Sequence, residues 1–183
     1  MARRVPNDPE RREKILDAAL AVIADHGSHG TTHRKIAAAA DVPLGSLTYY
    51  FDGIADIIAQ AFDRMHLLGS AQYRAALERA ADRDEAEQAV IELICGPEYM
   101  PEREVALLFE MYAYANKNEA VAATTREWLE RSHESLLLHF EPAQARALDV
   151  LIEGWPIHRV FARRALDRDL VARTVRAVIA ANG

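Results

Sequence analysis

The sequence predicts an all-α chain: a small N-terminal three-helix, helix-turn-helix domain followed by a larger helical bundle. Two observations carry this. Apolar residues recur at spacings of three and four along most of the chain, and strand-like alternation is absent. Half of the 183 residues are hydrophobic, and only 8 glycines and 7 prolines punctuate them, which suits helices with short connections.

Residues 1–8 read as a flexible arm. From Pro9 the pattern is helical, with Ile15, Ala18, Ala19, Val22 and Ile23 on one face. Asp8 is placed to cap this helix with Pro9 at its first position, and Gly27 and Gly30 are expected to end it. Thr32 is the expected N-cap of a short helix over 33–40. Asp41-Val42-Pro43 forms the turn, and a second short helix covers Leu44 to Tyr50. A longer amphipathic helix starts near Ile54 and runs to about Ala80, with Gly69 as a point where it could bend. Further helices are expected at about 84–95, 101–117, 119–139, 143–164 and 168–181, with Pro156 kinking the second-last. The spacing divides the chain into an arm (1–8), a helix-turn-helix domain (9–53) and a helical remainder (54–183).

The net charge of -6 is unevenly spread. Residues 1–50 hold 7 basic and 6 acidic side chains, and the other 133 hold 15 and 22. The acidity therefore lies outside the opening stretch, and screening confines exposed charges to about 8 Å at physiological salt. The single Cys95 excludes an internal disulfide framework and points to a reducing, cytoplasmic setting. No apolar run is long enough to span a membrane. The seven histidines lack metal-ligand spacing, since His26, His29 and His33 straddle a turn; no metal and no cofactor are expected.

The stretch TTHRKIAAAADVPLGSLTYYF, Thr31 to Phe51, carries the chemistry. Ile36, Ala37, Ala40, Val42, Leu47 and Phe51 would dock two short helices onto the first one. In that geometry the second short helix enters the DNA major groove by its N-terminal end. What remains exposed suits a duplex. Gly45 lets backbone come close, Ser46 and Thr48 bring hydroxyls, and Tyr49 and Tyr50 can reach phosphates. Most protein–DNA hydrogen bonds go to the sugar-phosphate backbone, so a strongly basic helix is not required.

On these residues, with RREKILDAALAVIADHG before them, the chain resembles the TetR family of bacterial transcriptional regulators. The T-T-x-x-x-I-A element, the G-x-L of the second short helix and the Y-Y-F ending carry the likeness. It is close over about 11–62 and extends beyond only in helix pattern. The resemblance implies a homodimer whose C-terminal bundle dimerises and binds a small-molecule effector. It places DNA contacts on Thr32, His33, Arg34, Leu44, Gly45, Ser46, Thr48, Tyr49 and Tyr50. Two positions depart from the family: Thr48 stands where tyrosine is common, and Ile54 where lysine is common. Arg11, Arg12, Arg3 or Arg4 would have to replace that lysine's phosphate contact.

For the effector the apolar stripes offer Phe62, Met65, Phe109, Met111, Tyr112, Tyr114, Trp128 and His133, each of which core packing would also explain. For the dimer, Leu148, Leu151, Ile152, Trp155 and His158 share a stripe, and Gly154 permits close helix approach. The resemblance puts the helices at 119–139 and 143–164 in that interface. The expected function is a ligand-responsive regulator, a repressor first and an activator second, released from a near-palindromic double-stranded operator. The alternatives are a helical protein-binding adaptor or a small helical enzyme. For the enzyme there is no defensible Ser-His-Asp spacing and no glycine-rich phosphate loop.

Overall fold

A computed structural model describes residues 9–96 and 99–181. The expected arm, with Asp8, Arg3 and Arg4, lies outside them. The described residues form helices without strands: α1 (Pro9–Gly30), α2 (His33–Ala39), α3 (Leu44–Tyr50), α4 (Ile54–Glu78), α5 (Arg83–Cys95), α6 (Glu102–Ala115), α7 (Glu119–Leu136), α8 (Pro142–Ala162) and α9 (Arg168–Ala181). They fall into two compact units, one within residues 9–65 and 107–123, the other within 66–96, 99–106 and 124–181.

The first unit is built on α1. Ile15, Leu16, Ala19, Val22 and Ile23 are buried, and Ile36, Ala37, Ala40, Leu47 and Phe51 close over them. Val42 is only half-buried. Thr32 caps α2, its hydroxyl accepting from Lys35 N at 3.3 Å. Asp41 takes a left-handed φ of 51° in the turn, a conformation that Asp tolerates better than most residues. Arg12 lies over the Phe51 ring at 5.7 Å and donates to Gln60 on α4. Arg64 on α4 pairs with Asp17 at 2.6 Å and with Glu13. A cation–π contact, a hydrogen bond and ion pairs thus fasten α1 to α4 and to the end of α3.

α1 does not stop before Gly27. Its backbone breaks there, at φ 70° and ψ 163°, and one more helical turn follows to Gly30. Side-chain bonds hold this turn. Ser28 N–H donates to the Glu110 carboxylate at 2.7 Å, and the Thr31 hydroxyl donates to the Gly27 carbonyl at 2.8 Å. Glycine is required at 27 because that φ strains any side chain, and a Cβ would meet Glu110 Oε1 at 3.2 Å.

The second unit has one apolar cluster, including Leu77, Val90, Ile94, Leu136, Phe140, Leu148, Ile152, Val171 and Val175. Gln144 is fully buried yet satisfied. Its Oε1 accepts from Glu141 N at 3.0 Å and Arg83 at 2.8 Å, and its amide donates to the Ile179 carbonyl at 2.7 Å. One side chain thereby caps α8 and ties it to the start of α5 and the end of α9. Gly96 ends α5 where a Cβ would sit 2.6 Å from the Glu92 carbonyl, so only glycine fits. Arg159 then donates to the carbonyls of Tyr99 and Met100 at 3.3 and 2.6 Å. α4 runs through Gly69 and α8 through Pro156 without a break. α7 ends at Leu136, short of the expected 139.

Candidate nucleic-acid interface

Every residue expected at the DNA lies in the first unit. α3 is seven residues long and buries Leu47 alone. Leu44, Gly45, Thr48 and Tyr49 are exposed, Tyr49 by 62%. Ser46 and Tyr50 are half-buried. The rings of Tyr49 and Tyr50 meet edge-on at 4.9 Å, so each limits the other's rotation. Around Gly45 a Cβ would find no atom within 4 Å; the backbone there is open to a large partner. The Thr48 hydroxyl donates to the Gly45 carbonyl at 3.1 Å, which leaves its lone pairs as acceptors.

Thr32 and Arg34 are exposed at the start of α2, and His33 is half-buried. Lys35 reaches back to the Gly30 carbonyl at 2.9 Å. Arg12, a possible substitute for the lysine absent at Ile54, is engaged with Phe51, Gln60 and Glu13. Among the described residues no His, Cys, Asp and Glu group could hold a metal ion, and no helix is long and apolar enough to cross a membrane.

The residues expected around an effector divide between the units. Phe62 and Met111 are fully buried in the first, with Met65, Tyr112 and Tyr114 half-buried and Phe109 exposed. The Phe62 and Tyr114 rings lie 6.0 Å apart. Trp128 and His133 belong to the second. There Trp128 stacks on buried His66 at 5.1 Å with rings nearly parallel, and His133 Nδ1 is buried without a hydrogen-bond partner. Burial, and then the charge of Arg131, lowers the His66 pKa to about 4. The sequence reading does not single out His66, Tyr73, Tyr99 or Asp149. His66, Tyr73 and Asp149 are polar-tipped side chains on the inward faces of α4 and α8, visible only once those faces are known, and Tyr99 lies between α5 and α6.

The stripe expected at the dimer interface turns inward. Leu148 and Ile152 are 0% and 1% exposed in the core of their own chain, with Leu151 and Trp155 against the same cluster; only His158 is exposed. The opposite face of α8 carries Ala147, Val150, Gly154, Ile157 and Phe161 at alternating spacings of three and four. Val150 and Phe161 are 69% and 66% exposed.

The profile of bacterial regulatory proteins of the tetR family matches residues 15–61. The solved structure of a TetR-family member from Streptomyces coelicolor A3 is 31% identical, covers 93% of this chain and 99% of its own, and has a TM-score of 0.76. The chain belongs to the TetR family. Another Streptomyces coelicolor A3(2) protein, described as a transcriptional regulator, is 41% identical to this TetR-family chain at a TM-score of 0.83, over 93% of this chain and 99% of its own. The multidrug binding protein EbrR, solved with imidazole, is 30% identical at a TM-score of 0.72, over 94% and 96%. The Brucella canis regulator BetI is 24% identical over 169 residues, 91% of this chain and 85% of its own length. This TetR-family chain is a transcriptional regulator.

Proposed function

We propose that this regulator is a cytoplasmic homodimeric repressor. It holds a near-palindromic operator through α2 and α3, and a small-molecule effector releases it. Residues 9–53 form the DNA-binding head, and residues 54–183 carry dimerisation and effector response. One observation carries the reading: α3 buries a single side chain and offers Leu44, Gly45, Thr48 and Tyr49 to solvent. A seven-residue helix with so little buried has no packing reason for that composition. Its hydroxyls and open backbone fit groove walls and phosphates.

The second copy is argued from α8. Val150, Gly154, Ile157 and Phe161 form an apolar stripe at the 3.5-residue period of a helix–helix seam. Gly154 has open space where a Cβ would stand, which lets a partner helix approach. Two copies joined there would present two α3 helices to successive major grooves, about one DNA turn apart. EbrR is described as a multidrug binding protein and has been solved with ethidium and with proflavin; that relationship supports a response to small molecules here. The effector acts by differential affinity: it binds better to the spacing of heads that no longer fits the duplex, and operator weakens effector binding by the same factor.

Selection of bound sites from random duplexes tests this. The expected product is an inverted repeat, bound more weakly as salt rises, because phosphate contacts release counterions. Recovery of single half-sites, or of no preferred sequence, would count against the dimeric operator.

A further inference from the structure

One side chain of α1 takes hold of the end of α3. Arg12 lies over the Phe51 ring at 5.7 Å, pairs with Glu13 at 2.9 Å and donates to Gln60 Oε1 on α4. Two relays leave it. The first runs through rings: Phe51 and Tyr50 lie 6.3 Å apart, and Tyr50 meets Tyr49 edge-on at 4.9 Å. The second runs through hydrogen bonds. Gln60 Nε2 donates to Asp56 Oδ1 at 2.7 Å, and the other Asp56 oxygen accepts from the Asp52 N–H at 2.9 Å. Each group in this chain satisfies the next, which stiffens it. The relays grip neighbouring residues, Phe51 and Asp52, just past the last turn of α3.

α3 needs such a grip. Within it only Leu47 is buried, and seven residues are too few for a helix to stand on its own hydrogen bonds. Whatever fixes the rotation of α3 also fixes where the Tyr49 and Tyr50 hydroxyls stand. Arg12 is poorly placed to bind a phosphate itself. Its charge faces the Glu13 carboxylate and the Phe51 ring, and both terminal nitrogens donate within the protein. A phosphate would have to break these contacts. A guanidinium suits the holding task, because it lies flat on a ring while its fork of donors reaches two acceptors; a lysine ammonium lacks that planar fork.

We infer that Arg12 is a positioning residue for DNA binding: it touches no phosphate, and acts through Phe51 and Gln60 on Tyr49 and Tyr50. This rests on the reading of α3 as the face that meets the duplex.

Anisotropy titration of the full chain on a labelled, site-selected operator, repeated over a salt series, tests it. Arg12→Lys keeps the charge, and Arg12→Met keeps only the apolar stem. Both are expected to weaken binding by roughly tenfold. The slope of affinity against salt should stay as in wild type, since it counts phosphates neutralised by basic side chains and tyrosine hydroxyls neutralise none. In a background of Tyr49→Phe with Tyr50→Phe, Arg12→Met should cost no more than about twofold further, because the groups it positions are gone. Gln60→Leu cuts the second relay without removing a charge and should weaken binding roughly threefold; it decides the matter if the Arg12 variants do not fold. Wild-type affinity in Arg12→Lys with a shallower salt slope in Arg12→Met marks a direct phosphate contact and overturns the inference. Wild-type affinity in both Arg12 variants, or in Gln60→Leu, marks a role in folding alone and overturns it too. So does a full Arg12→Met loss on top of the tyrosine pair. No duplex binding by wild type, or wild-type affinity in the tyrosine pair, refutes the reading of α3 and the inference with it.

Discussion

The Glu110 carboxylate on α6 accepts a 2.7 Å hydrogen bond from the backbone N–H of Ser28, the residue after the broken turn at Gly27. The α1 kink is therefore held by a charged acceptor from another helix. Glu110→Ala is expected to destabilise the chain by about 1.5–3 kcal/mol, the range for a lost bond to a charged group. Gly27→Ala should cost a similar amount, about 1–3 kcal/mol, through its positive φ. Denaturant unfolding of both variants checks this; wild-type midpoints would show that the kink needs no support.

Acid sensitivity should come from His66. Its folded pKa of about 4 lies below the ordinary 6.5, chiefly through burial. The unfolded chain then binds more protons between those values, so stability is fully present above pH 6.5 and falls as pH drops toward 4. Asp149 works in the opposite sense: its pKa is raised from 3.8 to about 6, so its contribution grows as pH falls through 6 and is complete near 3.8. His66→Phe keeps a ring against Trp128 and removes the titration. Unfolding at pH 7 and pH 4.5 should show wild type losing roughly 2–3 kcal/mol relative to this variant. Parallel losses in the two proteins would exclude His66 as the cause.

Two faces of α8 should respond differently. Phe161→Glu, on the exposed stripe, is expected to shift the sedimentation of the proposed dimer to that of a monomer with little change in monomer stability. Leu148→Ala, in the core, should cost about 2–5 kcal/mol of folding stability. A Phe161→Glu variant that remains dimeric would move the interface elsewhere.

These faces show what was legible in the sequence. Helix existence was readable throughout, because apolar spacing of three and four is local. The α2–α3 turn was readable because Thr32, Asp41 and Pro43 have few other uses at those positions. The facing of α8 was not. Leu148–Ile152–Trp155 and Val150–Gly154–Ile157 are both apolar stripes, and only the position of α5 and α9 decides which is core. Tyr73 and Asp149 are 76 positions apart, and no local pattern pairs them. The end of α1 at Gly27 and Gly30 was readable, but the bond that holds the turn between them was not, because Glu110 comes from a distant helix.

Within α3, side chains should divide by what they touch. Tyr49→Phe is expected to weaken binding to all duplexes alike, by about 1 kcal/mol, because a phosphate contact carries no base information. Ser46→Ala should instead alter the preferred sequence. Site selection with each variant checks this, and a changed preference in Tyr49→Phe alone would reverse the assignment.

Gly45 offers the most direct measurement. Its surroundings are empty where a Cβ would stand, and Glu is a better helix former than Gly, so Gly45→Glu should fold with unchanged or higher stability. The same carboxylate would face the phosphates of a bound duplex. Anisotropy titration of a labelled selected operator in dilute salt should show tight binding by wild type and a loss of roughly a hundredfold or more in Gly45→Glu. Equal affinity of the two proteins, or no duplex binding by wild type, would contradict the placement of α3 against DNA.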